Sequence, residues 1–305
     1  MQDENKILIP TPALFSFEEC VWFLDRNYDD CLHVIKEQTV YKSIHTGNDI
    51  VLVGIEQNGS FLEADIIAGP AGEAEKNLVV AYIREWFDMD RDIEPFYHLL
   101  QTDGRLSYMA ERYKGLRLMG IANLFEAICW SIIGQQINLA FAYKVKRSLI
   151  ERFGEGVTFE NETFYTFPEP SVLADVQMEE LKSMQFSRQK AEYLINTAKA
   201  FRDGLISREM LAALPDFEAR TKALTALKGI GAWTANYVLM KSMREPGGIP
   251  HGDIGLLNAL ESHNIIHDRK EQERINALFS AFEGWESYLV FYLWRSLTVR
   301  QGEPA

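Results

Sequence analysis

The sequence has few cysteines and lacks long apolar runs. Its three cysteines, Cys20, Cys31 and Cys129, cannot supply a four-thiolate iron–sulfur site, and this odd, sparse set does not form a disulfide framework. Such usage fits a reducing cytosol, so we expect a cytoplasmic protein. The absence of any run of 18 apolar residues argues against a transmembrane helix. The polar, acidic start MQDENK is unlike a signal peptide.

Two kinds of binding motif are also missing. The chain has no glycine-rich loop ending in Gly-Lys-Ser/Thr, which argues against a bound nucleoside triphosphate. It has no side-chain cluster typical of zinc or another transition metal, so we expect that no cofactor is required. At 305 residues the chain exceeds the usual size of one hydrophobic core, which favours two domains.

The net charge of −13 argues against a nucleic-acid partner only if it is spread evenly. It is not: residues 1–100 contain 19 acidic and 7 basic side chains, whereas residues 182–244 contain 5 acidic and 11 basic ones. Salt screens charges beyond about 8–10 Å, so the local sign decides contact with phosphate. The basic stretch is compatible with DNA or with an ordinary solvated face.

The secondary-structure pattern changes along the chain. Four short segments rich in β-branched residues predict strands, and QNGS at 57–60 is a strong hairpin signal. The predicted strands are CLHVIK, TVYKSI, DIVLVGI and FLEADIIA, between residues 31 and 68, followed by a helix over 73–87. From about residue 92 onward the pattern predicts only helices. We therefore expect an α+β domain with an antiparallel sheet over 1–104 and an all-α domain over 105–305.

The predicted helices include a long pattern over 123–154 that breaks near Gly134. Seven further helices are predicted at about 171–184, 187–203, 216–227, 232–243, 254–262, 269–281 and 284–300.

The segment LKGIGAWTANYVLMK (227–241) places a Gly-Ile-Gly turn between two of these helices. Glycine allows the tight connection that two short packed helices need. The free N–H groups at the start of the second helix form a site suited to phosphate. Asp253 follows Gly231 by 22 residues, behind the Pro/Gly loop REPGGIPHG. Taken alone, these features also fit an ordinary helical hairpin and a plain N-cap aspartate.

Hairpin, loop and aspartate in this order resemble the helix-hairpin-helix DNA glycosylases, most closely the DNA-3-methyladenine glycosylase II branch. LFEAICWSIIGQQINLAFA (124–142) is similar to the helix pair that carries a DNA-penetrating residue in this family, and SYLVFYLWRS (287–296) resembles its closing helix. The resemblance covers 105–305 well and 1–104 only in outline. Lys228 departs from the proline that many members have there.

The resemblance implies a role for each of several residues. It places Asp253 as the catalytic carboxylate, with Trp233, Tyr237 and Trp294 around the extruded base. Gln136, beside Gln135, falls at the position of the DNA-penetrating residue, which is called the wedge below. Either amide could fill the gap left by the base and hydrogen-bond its orphaned partner, although both glutamines also fit as solvent-facing residues. Aromatic stripes of this kind are usually core, but a π-face attracts a cationic alkylated purine.

The resemblance also assigns the hairpin to the DNA backbone. Lys228, Gly229 and Gly231 are expected to contact phosphate, and the carbonyls of Thr225, Leu227 and Ile230 to hold a monovalent cation, Na⁺ or K⁺. We expect a monomeric, monofunctional glycosylase that flips alkylated purines out of double-stranded DNA and excises them. The alternatives are a glycosylase of the same fold for oxidised, deaminated or mismatched bases, and a non-catalytic DNA-binding protein.

Overall fold

The computed structural model describes residues 5–26, 28–47 and 49–298. Near the N-terminus, five antiparallel strands form a sheet in the order β1-β5-β4-β3-β2. The strands are β1 (Lys6–Pro10), β2 (Val34–Lys36), β3 (Thr39–Thr46), β4 (Asp49–Asn58) and β5 (Phe61–Ala68). This confirms the predicted sheet and adds β1 (KILIP), which the sequence pattern did not predict. The β4–β5 turn is Gly59–Ser60, because Asn58 pairs with Phe61 as the last residue of its strand.

Three helices accompany this sheet and a short fourth follows. They are α1 (Phe17–Leu24), α2 (Glu73–Trp86), α3 (Glu94–Thr102) and α4 (Met109–Arg112). Only α2 was predicted from the sequence pattern. Ser16 caps α1 by accepting a hydrogen bond from the Glu19 N–H, an arrangement that stabilises helix starts.

The remaining helices build the second half of the chain. They are α5 (Leu124–Gly134), α6 (Leu139–Phe153), α7 (Pro170–Ala174), α8 (Met178–Ser183), α9 (Arg188–Arg202), α10 (Arg208–Ala212), α11 (Phe217–Thr225), α12 (Ala232–Lys241), α13 (Ile254–Ser262), α14 (Gln272–Ala281) and α15 (Glu286–Ser296). The predicted break near Gly134 is confirmed. The helix predicted over 171–184 is two short helices, and α10 was not predicted. Helix α15 ends at Ser296. Residues 299–300 of its predicted span lie outside the described residues.

One prediction for this half is wrong. Strands β6 (Gly156–Phe159) and β7 (Glu162–Tyr165) form an antiparallel hairpin after residue 92, where only helices were expected. Its turn residues, Glu160 and Asn161, both have positive φ, 48° and 65°. A two-residue turn of this hand matches the strand twist, but the pair lacks the glycine that usually signals it.

Two hydrophobic clusters fill the interior. One combines the N-terminal sheet and its helices with residues of α13, α14 and α15. The other joins α5, α6 and α9 to α12. Trp294 packs against both clusters, so it lies at their junction. The last helices thus share a core with the sheet, although the division between residues 104 and 105 stays a prediction.

Candidate active site

The helical hairpin has two glycines with different structural roles. Gly229 has a φ of +94°, and a Cβ there would lie 2.3 Å from the Tyr193 ring. Gly231 caps α12 in an extended conformation, and a Cβ there would meet no heavy atom within 4 Å among the described residues. Gly229 is therefore required by the fold of the turn. At Gly231 the free protein has room for a side chain.

The start of α12 is open to an anion. Within the described chain, no side chain caps the first turn of α12, so its N–H groups remain available. These groups and the helix dipole favour a phosphate. Lys228 lies at the same turn with 63% of its side chain exposed, where it pairs with Glu192 at 2.5 Å. A phosphate at this turn would compete with Glu192 for the lysine.

The two glutamines after α5 have different environments. The Gln135 side-chain amide donates to the Gly229 carbonyl at 3.0 Å and to the Thr234 hydroxyl at 3.3 Å. Gln136 is exposed and has a φ of +56°, a conformation uncommon outside glycine. The structure therefore ties Gln135 to the hairpin and presents Gln136 to solvent.

Asp253 is the N-cap of α13. Its Oδ1 accepts hydrogen bonds from the Leu256 N–H at 2.8 Å and from the Trp294 indole Nε1–H at 3.0 Å. These two bonds to one oxygen restrict the orientation of the carboxylate. The N-cap interpretation and the catalytic one are therefore compatible in this geometry.

The loop before Asp253 is held by residues that the sequence pattern did not single out. The hydroxyl of Ser287, at the start of α15, is shared between the carbonyls of Glu245 at 2.6 Å and Gly248 at 3.2 Å. Asn236, on α12, accepts a hydrogen bond from the Ile249 N–H at 3.3 Å. These contacts connect α12, the loop and α15, the elements that carry the predicted site. A serine and an asparagine in helical patterns carry no sequence signal for such a role.

The three predicted aromatic residues are neighbours. Trp233 and Tyr237 stack with ring centroids 5.5 Å apart and planes 17° apart. Tyr237 and Trp294 are 6.3 Å apart. The Tyr237 hydroxyl accepts a hydrogen bond from the Trp130 indole at 3.1 Å, and burial raises the pKa of this phenol. The structure thus adds Trp130, whose place in an apolar helix could not be distinguished from core.

Beyond Tyr237 and Trp130 lies a cavity of about 70 Å³. Its lining includes charged side chains from both halves of the chain: Arg26, Asp30, Lys42, Glu126, Lys146 and Lys241. Lys146 is held by Asp30 at 3.1 Å and lies 3.6 Å from Glu126. The sequence pattern missed this cavity because its walls come from segments far apart in the chain.

Comparison with known proteins identifies the family. The HhH-GPD superfamily model of base excision DNA repair proteins matches residues 129–283. A model described as the N-terminal domain of 8-oxoguanine DNA glycosylase matches residues 30–128. The chain therefore belongs to the HhH-GPD superfamily of base excision DNA repair proteins, and it is a DNA glycosylase.

Individual relatives are similar over nearly the whole chain. A DNA-3-methyladenine glycosylase of Bacillus subtilis is 34% identical over 95% of this chain and 97% of its own length. The solved 3-methyladenine DNA-glycosylase from Archaeoglobus fulgidus has a TM-score of 0.81 at 23% identity, covering 95% of this chain and 97% of its own. The 8-oxoguanine glycosylase/lyase of Clostridium acetobutylicum, solved with double-stranded DNA, has a TM-score of 0.68 at 18% identity over 88% and 98%. The latter two likenesses show the shared fold.

Among the described residues, no helix is long and apolar enough to cross a membrane. In the same part of the chain, no group of three or more histidine, cysteine or acidic side chains is arranged to hold a metal ion. The three cysteines are buried and free.

Proposed function

We propose that the protein is a monofunctional glycosylase that excises alkylated purines, of the 3-methyladenine and 7-methylguanine type, by hydrolysing the N-glycosidic bond. The observation that carries the proposal is the hydrogen bond between Trp294 and Asp253, which joins an aromatic pocket to a carboxylate. The B. subtilis relative named DNA-3-methyladenine glycosylase supports the substrate class.

The base must first leave the DNA stack, which costs a few kcal/mol. In our proposal Gln136 fills the gap, because it is exposed at the tip of the turn between α5 and α6. Gln135 holds that turn against the hairpin through Gly229. Lys228 and the start of α12 bind the backbone phosphates. The turn that carries the wedge and the hairpin that binds phosphate are then connected to each other.

The extruded base lies against the faces of Trp233, Tyr237 and Trp294. An N3- or N7-alkylated purine is cationic, and a π-face attracts a cation by about 0.5–2 kcal/mol. As the C1′–N bond breaks, the sugar develops oxocarbenium character. The Asp253 carboxylate stabilises this cation and orients the attacking water. The cationic base is a good leaving group, so no second acid is needed.

A second candidate is a glycosylase for oxidised bases. The match of residues 30–128 to the 8-oxoguanine DNA glycosylase N-terminal model favours it. Against it, the B. subtilis relative that is similar over 95% of the chain is named a DNA-3-methyladenine glycosylase. A purely DNA-binding role would require neither the carboxylate of Asp253 nor the aromatic residues beside it.

The hairpin cation remains a further proposal. The Leu227 carbonyl accepts a hydrogen bond from the Ile230 N–H at 3.1 Å, which closes the turn and leaves a second lone pair on the oxygen. Together with the carbonyls of Thr225 and Ile230, it would offer the neutral oxygen ligands that monovalent cations take. We also propose that the protein is a monomer and that it is cytoplasmic. The three free cysteines are consistent with the cytoplasmic location.

Incubation with a panel of duplexes, each holding one modified base, tests the substrate class. The released base is identified by mass spectrometry for 3-methyladenine, 7-methylguanine, hypoxanthine, 8-oxoguanine and undamaged purines. Release of the two methylated purines ahead of 8-oxoguanine would support the proposal. Preferential release of 8-oxoguanine would support the second candidate.

A further inference from the structure

A buried lysine lies on the same helix face as the aromatic pocket. Trp233, Tyr237 and Lys241 follow one another at intervals of four residues along α12, so they line one face. Tyr237 and Lys241 both line the cavity behind the pocket. Lys241 is fully buried. Its ammonium group therefore belongs to the cavity behind the aromatic pocket and not to the pocket itself.

The neighbours of the Lys241 ammonium are a carbonyl group and two aromatic rings. Across residues 5–26, 28–47 and 49–298, no carboxylate lies within 4 Å of its Nζ. It donates to the Met119 carbonyl and lies 4.0 Å and 4.8 Å from the ring centroids of Phe23 and Phe291. Burial, with the charges of Arg244 and Arg26, lowers its pKa well below the usual value for lysine.

The cavity as a whole carries more cationic than acidic side chains. Asp30 and Glu126 lie beside Lys146, and the Lys42 ammonium donates to the Leu32 carbonyl at 2.8 Å. Arg26 contacts the Tyr143 hydroxyl at 3.3 Å and adds another positive charge. Burying an ammonium without a carboxylate lowers stability. A pocket for cationic bases alone would gain nothing from such a charge.

We propose that Lys241 is a specificity-determining residue that enables the enzyme to release uncharged purines, such as hypoxanthine, besides cationic ones. The proposal rests on the proposed glycosylase function. When the bond from C1′ to a neutral base breaks, the electron pair stays on the base nitrogen, and the base departs as an anion that later takes a proton from solvent. Water adds to C1′ and loses a proton, so charge and atoms balance.

While it is protonated, Lys241 places a positive charge in the cavity behind the departing anion, which lowers the barrier for neutral bases but does not help a base that is already cationic. The aromatic faces act in the opposite sense, since they favour cations. The two features together would let one pocket process both classes. In this mechanism Lys241 acts through its field, and Asp253 remains the catalytic residue at the sugar.

The test compares hypoxanthine and 7-methylguanine excision in single-turnover assays of wild type, Lys241→Met and Lys241→Arg. Met has a similar length without charge, and Arg keeps the charge. We expect Lys241→Met to lower hypoxanthine excision by roughly 10- to 30-fold, with 7-methylguanine excision unchanged or faster. Lys241→Arg should retain the wild-type ratio. Equal loss on both substrates, or no change on hypoxanthine, would overturn the proposal.

A measurement on the wild-type enzyme tests the proposal even if Lys241→Met does not fold. Excision rates are measured for a series of uncharged purine analogues whose N–H acidity differs. Electrostatic stabilisation of the leaving anion should make the enzymatic rates less sensitive to N–H acidity than the rates of the non-enzymatic reaction. Equal sensitivity, or failure of the wild type to release hypoxanthine, would refute the role of Lys241. If 7-methylguanine is not excised either, it is the proposed function that fails.

Discussion

The indole N–H of Trp294 donates a hydrogen bond to Oδ1 of Asp253 at 3.0 Å, although 41 residues separate them in the chain. This contact makes one residue serve both parts of the site, because the same indole ring faces Tyr237. A Cβ at Gly255 would lie 3.1 Å from the same Asp253 oxygen and 3.4 Å from the Trp294 ring. The absence of a side chain at Gly255 therefore leaves room for the contact.

Replacing Asp253 should separate catalysis from stability. Asn caps helices about as well as Asp, so Asp253→Asn should fold with an unchanged melting temperature. Without the negative charge at the sugar, excision should slow by about 10²-fold or more. Single-turnover excision and equilibrium DNA binding measure the two properties. A fully active Asn variant would reduce Asp253 to a helix cap.

Replacing Trp294 by phenylalanine should remove the hydrogen bond to Asp253 and keep an aromatic face. We expect Trp294→Phe to slow excision by about 10-fold, because the carboxylate loses one of the two donors that orient it. Trp233→Phe serves as the control, since no hydrogen bond to Asp253 changes there. Similar rates for the two variants would argue against orientation by the indole.

The two hairpin glycines should respond differently to alanine. Gly229→Ala meets the Tyr193 ring and a positive φ, so it should lower the melting temperature. Gly231→Ala should fold normally and weaken binding to all DNA sequences alike, because its methyl group would face the phosphate. Binding is measured with damaged and undamaged duplexes at several salt concentrations. A loss restricted to one damaged base would contradict contact with phosphate.

The glutamine pair should show which amide is the wedge. Gln136→Ala should lower excision without changing the melting temperature, because this side chain is exposed. Gln135→Ala should lower the melting temperature, since it removes contacts to Gly229 and Thr234. A fluorescent base analogue opposite the lesion reports on extrusion. Normal extrusion by Gln136→Ala would exclude it as the wedge.

The product should be an intact abasic strand. In bifunctional members of the family a lysine occupies the position of Trp233 and forms a Schiff base with the sugar. Lys228 lies on the other side of the turn, paired with Glu192. Borohydride should therefore trap no adduct, and strand cleavage should require alkali or heat. A trapped adduct would assign a lysine as nucleophile.

The sequence pattern predicted the elements with strong local signals. The four strands between residues 31 and 68, the break near Gly134 and the two hairpin helices were all recognisable from periodicity and glycine. The β6–β7 hairpin was missed because its Glu-Asn turn lacks glycine. Helix α1 was missed although Ser16 and Glu19 have the Ser-x-x-Glu spacing that marks a helix start, because the helix is only eight residues long.

By itself the sequence indicated the family, the Gly-Ile-Gly hairpin and the position of Asp253 at the start of a helix. Glycine spacing and an N-cap position are local features of the chain, so they can be recognised without the tertiary structure. Only the tertiary structure decided which glutamine contacts the hairpin and that Trp130 supports Tyr237. It also decided that Lys241 has a carbonyl and two rings as neighbours where a carboxylate would be expected. Such contacts join residues as far apart in the chain as Phe23 and Lys241, and periodicity describes only one element at a time.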